Sequence, residues 1–151
     1  MQSNTRTPTP EQEFQTLQMY LSEFNQQIEL FSQQLQMVEQ ARMESAAAIE
    51  SLKGLKETTD AITLLPIGAG AAIHARVIDP DAVIVSIGSG VSVKKSNDEA
   101  VSYLSDRISE MEAQGRRLAE TIGKLQNQAA EVGRRLDQLY QAGQTQSRGR
   151  S

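Results

Sequence analysis

Apolar residues recur through the first part of the chain at Phe14, Leu17, Leu21, Phe24, Ile28, Phe31, Leu35 and Val38, in alternating steps of three and four. That alternation is a heptad seam, a narrow stripe that a helix must bury against a partner helix. Arg42 and Ser45 interrupt the stripe and Ile49 and Leu52 resume it, so the spacing predicts one long helix over residues 10–58 with a polar stretch inside it. Thr9 as N-cap, Pro10 at the first helical position and Gln12 at the capping-box position mark its start. A second stripe runs without a missed step through Val101, Leu104, Ile108, Met111, Gly115, Leu118, Ile122, Leu125, Ala129, Val132, Leu136 and Leu139. It predicts a helix over residues 97–141, capped by Ser96 and Glu99, with Asp98 placing negative charge where the helix dipole favours it. Gly115, Gly123 and Gly133 each cost about 1 kcal/mol relative to Ala inside a helix, so packing has to hold this helix together.

The segment between the helices has a different rhythm. ITLLPIG, AAIHARVI, AVIVSIG and VSVKK are rich in β-branched residues and are separated by GAG, DPD and GSG. They predict four short strands in two hairpins over residues 62–94, with Asp79, Pro80 and Asp81 as the turn between the hairpins. Gly68, Gly70, Gly88 and Gly90 supply freedom at the corners. About thirty residues of sheet cannot build a core of their own, and hairpins leave open edges that something must cover. Pairing with the same segment of other chains is the plainest cover, which makes oligomerisation a physical requirement. Leu65, Ile67, Ile73, Val77, Val83, Val85, Ile87, Val91 and Val93 are the strand residues expected to serve it.

Two helices of roughly 45 residues each, close to 65 to 70 Å long at 1.5 Å per residue, can bury both seams by folding back on one another. The fold class is therefore mostly α with a small β segment: a long antiparallel coiled-coil hairpin whose helices are joined by two β-hairpins that oligomerise. A parallel intermolecular coiled coil is the alternative. Against it, the positions flanking the first seam, among them Gln18, Asn25, Gln27, Ser32 and Gln34, lack the charges that normally choose a partner and register. Alignment about the turn places Phe14 opposite Leu139 and Tyr140, and Arg42 near Glu112. Residues 1–9 and 142–151 read as flexible tails, too polar to offset the entropy of ordering.

Composition removes most catalytic chemistry. Among 151 residues there is no cysteine and a single histidine, His74, so there is no thiolate nucleophile and no cysteine or multi-histidine metal cage. With 4% aromatic residues a dense aromatic pocket is not expected, and a net charge of −4 with no basic stripe argues against nucleic acid as a partner. No apolar run approaches the roughly 20 residues of a membrane span and no signal peptide stands at the start, so the expectation is a cytoplasmic protein with no membrane partner. GAGAAI at Gly68–Ile73 resembles the opening of a dinucleotide fingerprint, but Ile73 stands at the third glycine position and no helix pattern follows. GSGVSVKKS at Gly88–Ser96 lacks the lysine–hydroxyl ending of a phosphate loop. The acidic pairs Glu11/Glu13 and Asp98/Glu99 lie at helix starts, where the dipole accounts for them. No cofactor, metal or catalytic residue is assigned, and the chain is not expected to be an enzyme.

The stretch LLPIGAGAAIHARVIDPDAVIVSIGSGVSVKKSNDEAVSYL, set between two heptad helices, resembles the alpha-type subunits of the archaeal prefoldin family. The resemblance spans Phe14 to Tyr140 and is carried by Leu65, Pro66, Ile67, Gly68, Ala69 and Gly70, by Val85, Ile87, Gly88, Ser89 and Gly90, and by Lys94, Lys95, Ser96, Glu99 and Ala100. Two hairpins between the helices resemble the alpha type, since the beta type has one. The resemblance implies an ATP-independent holdase chaperone. In it, two alpha and four beta subunits join through their hairpins into a hexamer with a double β-barrel body and six coiled coils. It also implies unfolded client proteins held at the coiled-coil tips and delivered to a group II chaperonin.

At the tips, the expected client-binding residues are Phe14, Leu17, Met19, Tyr20, Leu136, Leu139 and Tyr140. Closing the coiled coil is the competing role for those in the seam. A structural scaffold that positions one specific folded partner is the alternative function that the same pattern allows.

Overall fold

The computed structural model describes residues 6–149. Its elements run α1 (Pro10–Glu57), β1 (Ile62–Gly68), β2 (Ala71–Arg76), β3 (Val83–Gly88), β4 (Val91–Lys95) and α2 (Asn97–Arg148). Both expected capping boxes form. Gln12 N donates to Thr9 Oγ1 at 3.3 Å and Thr9 N to Gln12 Oε1 at 3.1 Å; Glu99 N donates to Ser96 Oγ at 3.2 Å and Ser96 N to Glu99 Oε2 at 3.4 Å. Each pair satisfies amide groups that the first helical turn leaves without partners. At its other end α1 stops where Thr58 Oγ1 bonds back to the Gly54 carbonyl and Asp60 takes a left-handed φ of 54°.

The end of α2 departs from the sequence reading, which stopped the helix at 141 with its apolar stripe. It continues to Arg148. Glutamine, alanine and arginine keep the backbone helical without a seam. Thr145 Oγ1 returns to the Gln141 carbonyl at 2.9 Å and Gln144 Nε2 donates to Tyr140 Oη at 2.9 Å, so the polar side chains bond along their own helix.

The chain divides into two compact units, one made of the segments ending at Met37 and starting at Gly115, the other of Val38–Gln114. In the first, α1 and α2 run antiparallel: Glu13 pairs with Arg135, and a Cβ placed on Gly115 would lie 3.6 Å from Leu35 Cδ1. Ile122 and Leu125 are buried there, and the other seam positions are half-buried because one neighbouring helix covers only one flank. In the second unit the antiparallel pairing continues, with Lys56 on Asp98 and the Glu112 carboxylate acting on Arg42, as the alignment about the turn expects.

The strands form two separate two-stranded antiparallel sheets, β1–β2 and β3–β4. Each closes through a two-residue turn with both φ values positive, Ala69 at 51° with Gly70 at 78°, and Ser89 at 53° with Gly90 at 75°. Such turns match the twist of the flanking strands. Between the hairpins the expected Asp79–Asp81 turn is present: Asp81 N donates to Asp79 Oδ1 at 3.0 Å and Ala82 N to the Asp79 carbonyl at 3.3 Å.

Candidate functional site

Two surfaces hold the residues singled out from sequence. The first is the end of the helix pair, within the first unit. Phe14, Leu17, Leu136 and Leu139 are half-buried in the seam, whereas Met19, Tyr20 and Tyr140 are exposed. The structure thus splits the set in two: four side chains help close the coiled coil and three stand outside it. Phe14, Leu139 and Tyr140 come together, as expected, in an open groove of about 820 Å³ with Thr9, Pro10 and Gly143. The extension of α2 past 141 builds part of its wall through Gln144, Gln146 and Ser147. A smaller groove of about 460 Å³ lies between Leu21, Asn25 and Leu136.

Beside this end Arg135 grips Glu13 with two nitrogens, Nε to Oε1 at 2.8 Å and Nη2 to Oε2 at 3.2 Å. The hydrogen bond from the guanidinium holds the Glu13 carboxyl below its ordinary range and raises Arg135 in turn. A forked pair of this kind fixes orientation as well as charge. It ties the first turns of α1 to α2 next to Phe14, so the groove has a defined wall. Neither residue was singled out as a pair from sequence, because their partnership depends on the antiparallel register.

The second surface is the pair of hairpins. On β1–β2, Leu65, Ile67 and Ile73 are exposed, as are Ile62 and Leu64 on the opposite face. His74 stands across from Leu64 and is exposed. On β3–β4 the picture differs. Val85 is buried and Val83 half-buried, both lining a groove whose other walls include Ala41, Ala48 and Leu52 of α1 and Tyr103 and Leu104 of α2, and Val93, across from Val85, is half-buried. Of the residues expected to serve oligomerisation, Val85 is therefore taken up by its own chain; Ile87 and Val91 remain exposed and Val77 half-buried. Lys95 lies over the Tyr103 ring at 5.6 Å, adding a cation–π contact between β4 and α2.

Sequence reading missed Asn97. It is 1% exposed, its side-chain Nδ2 donates to the Leu52 carbonyl at 2.8 Å and the Pro80 carbonyl at 3.1 Å, and its backbone N donates to Asp81 Oδ1 at 3.1 Å. One amide therefore fastens α1, the turn between the hairpins and the start of α2. Among the described residues no group of three or more His, Cys, Asp or Glu side chains is placed to hold a metal ion, and no helix is long and apolar enough to cross a membrane.

Comparison with known proteins adds the following. Residues 24–142 match the family model of the prefoldin subunit. A prefoldin subunit alpha of Methanoculleus marisnigri is 52% identical over 128 residues, 85% of this chain and 86% of that protein. One of Methanocorpusculum labreanum is 44% identical over 149 residues, 98% of this chain and the whole of the relative, and one of Pyrococcus horikoshii is 32% identical over 76% of this chain and 79% of its own. Among solved structures, a filamentous PFD from Methanocaldococcus jannaschii, seen by cryo-electron microscopy, shares the fold with a TM-score of 0.66 at 23% identity, covering 76% of this chain and 95% of its own.

Proposed function

Since the chain belongs to the prefoldin family and its relatives are alpha-type subunits, we propose that it is the alpha subunit of a hetero-hexameric holdase that works in the cytoplasm without ATP. Its hairpins join those of a second alpha chain and of four beta-type chains in a double β-barrel body. The helix ends of the six subunits hold unfolded proteins and release them to a group II chaperonin.

The observation that carries this reading is the exposed β1–β2 hairpin. Ile62, Leu64, Leu65, Ile67 and Ile73 put large apolar side chains on both of its faces, and both outer strand edges lack partners. Isolated two-stranded hairpins are marginal in water, and open apolar edges invite pairing with other chains. Assembly is the use of such a surface that leaves the protein soluble. The filamentous solved neighbour supports assembly as a property of this fold.

Holding clients follows from the helix end. Each apolar side chain buried against a client contributes about 1.5 to 3 kcal/mol before ordering costs, so Phe14, Leu17, Leu136 and Leu139 at the seam with Met19, Tyr20 and Tyr140 outside it give one weak, unselective contact per tip. Six tips on one body raise the effective concentration of the second and later contacts, while each contact still exchanges quickly. The thioether of Met19 and the many glutamines adapt to varied clients. Exchange at every tip is what lets a chaperonin take the client without fuel.

Light scattering of a denatured client tests this. The complex reconstituted with a beta-type chain should suppress aggregation at stoichiometric amounts. Removing the residues before Leu21 and after Leu136 should reduce that suppression while native mass spectrometry still finds the hexamer. A hexamer that never suppresses aggregation points to a scaffold, and unchanged capture after truncation removes the tips from the mechanism.

A further inference from the structure

The polar residues near the helix end follow an order of their own. Glu11, Gln15, Gln18, Ser22, Gln26 and Glu29 succeed one another along α1 in steps of four, three, four, four and three, so they share one face of the helix. Glu11 and Gln15 line the groove of about 820 Å³ at the helix end, and the other four line the groove of about 460 Å³ together with Asn25. On α2 the wall also passes from one groove to the other, through Leu136, Tyr140, Gly143 and Ser147 in steps of four, three and four. Both grooves belong to the first unit, and they continue one another along the same side of the helix pair.

Elsewhere on the helices, polar side chains bond along their own helix: Thr16 Oγ1 to the Gln12 carbonyl, Gln40 Nε2 to Glu44, Ser45 Oγ to the Ala41 carbonyl and Gln144 Nε2 to Tyr140. Along the stripe they do not. Within the described residues the side chains of Gln15, Gln18, Ser22, Asn25 and Gln26 make no hydrogen bond, and all five are exposed. Each amide offers a carbonyl and an NH2, the groups of a peptide bond. A folded protein pairs its backbone groups internally, whereas an unfolded chain carries them free. An extended segment on this track turns alternate side chains onto the apolar floor at Phe14, Leu21, Leu136 and Leu139, and a backbone edge toward the amides. From Glu11 to Glu29 the helix rises about 27 Å, the length of about eight extended residues. The carboxylates at both ends repel the phosphates of a nucleic acid, so a polypeptide is the occupant that fits.

We infer that the amide stripe of α1 is a second binding site at the tip, one that holds the extended backbone of an unfolded polypeptide whatever its side chains. The inference rests on the proposed holding of clients at the helix ends and specifies what is recognised there: free peptide groups as well as apolar side chains. Gln18, Asn25 and Gln26 supply the hydrogen bonds, and the seam beside them supplies the apolar contact.

The test uses the full chain assembled with a beta-type chain. The native chain has no cysteine, so Glu23→Cys, exposed and outside the stripe, takes a single fluorophore before assembly, and energy transfer then reports occupancy of this chain's tip alone. The probe is a dye-labelled peptide of about eight residues with leucine at alternate positions, and its partner has alternate backbone amides replaced by esters, which removes N–H donors and keeps the side chains. The amide peptide should bind at least about tenfold more tightly than the ester, at about two- to tenfold per hydrogen bond. Gln18→Ala/Asn25→Ala/Gln26→Ala should abolish that difference and leave ester binding unchanged, since alanine at exposed positions keeps the helix. Gln27→Ala/Gln34→Ala, on the other flank of the seam, should preserve it. Equal binding of both peptides by the parent, or a triple variant that still prefers the amide, overturns the inference and leaves apolar holding at the tip in place. Binding of neither peptide overturns the tip reading and the inference with it.

Discussion

Asn97 gives the sharpest stability prediction, because it is the one fully buried polar side chain among the described residues. Asn97→Ala removes two donated hydrogen bonds, to Leu52 and Pro80, each worth about 1 kcal/mol net, and leaves those carbonyls facing a gap. Counting the desolvated acceptors, the loss is about 2 to 4 kcal/mol. For a chain of this size that lowers the melting midpoint by about 5 to 15 °C, read by far-ultraviolet circular dichroism. Asn97→Asp separates hydrogen bonding from shape. It keeps the volume but puts a carboxylate against two carbonyl oxygens and near the Asp81 carboxylate that accepts from the residue 97 backbone. At neutral pH it should therefore be worse than Asn97→Ala. Burial and acceptors raise the introduced group's pKa in the folded state above its unfolded value of about 3.9, so its penalty is full above the raised folded value. The penalty shrinks as pH falls from there toward the unfolded value, since the protonated acid regains one donor. Asn97→Ala within about 2 °C of the parent, or an Asn97→Asp deficit that does not change on acidification, would refute the clamp.

Gly115→Ala should stabilise by about 0.5 to 1 kcal/mol, since the added Cβ meets only Leu35 Cδ1 at 3.6 Å, an ordinary contact, while the helix loses one of its glycines; a urea midpoint below the parent's counts against this. The Glu13–Arg135 fork should loosen in acid. Because Arg135 holds the Glu13 carboxyl below its ordinary range, the pair's contribution is complete above that range and is lost as pH falls through the lowered folded value. Amide hydrogen exchange in the first turns of α1 should rise over that window and with added salt, and Glu13→Gln should remove both dependences; exchange that follows pH and salt equally in the variant removes the fork as the cause.

What the sequence discloses is what repeats along it. The seam from Phe14 to Leu52 and its counterpart from Val101 to Leu139 could be read because helix burial has a period, and the two hairpin corners because glycine adopts positive φ most readily. Asn97 escaped because asparagine at a helix start is an ordinary choice, and its burial arises only when three separated segments meet on it. The fate of Val85 escaped for a different reason. Alternation along a strand sorts side chains into two faces but does not say which face meets the helices, and β3 carries isoleucine or valine on both. The end of α2 lies past the apolar stripe because local hydrogen bonding, which has no apolar period, carries the helix to Arg148.

The twenty-residue echo between IGAG and IGSG stood in the sequence, yet its meaning depended on burial. Sequences that fold into the same hairpin bury the same face when their surroundings allow it, and here one copy is held by the helices while the other stands in water with apolar side chains on both faces. Exposing that much apolar surface on a solitary chain favours association over isolation.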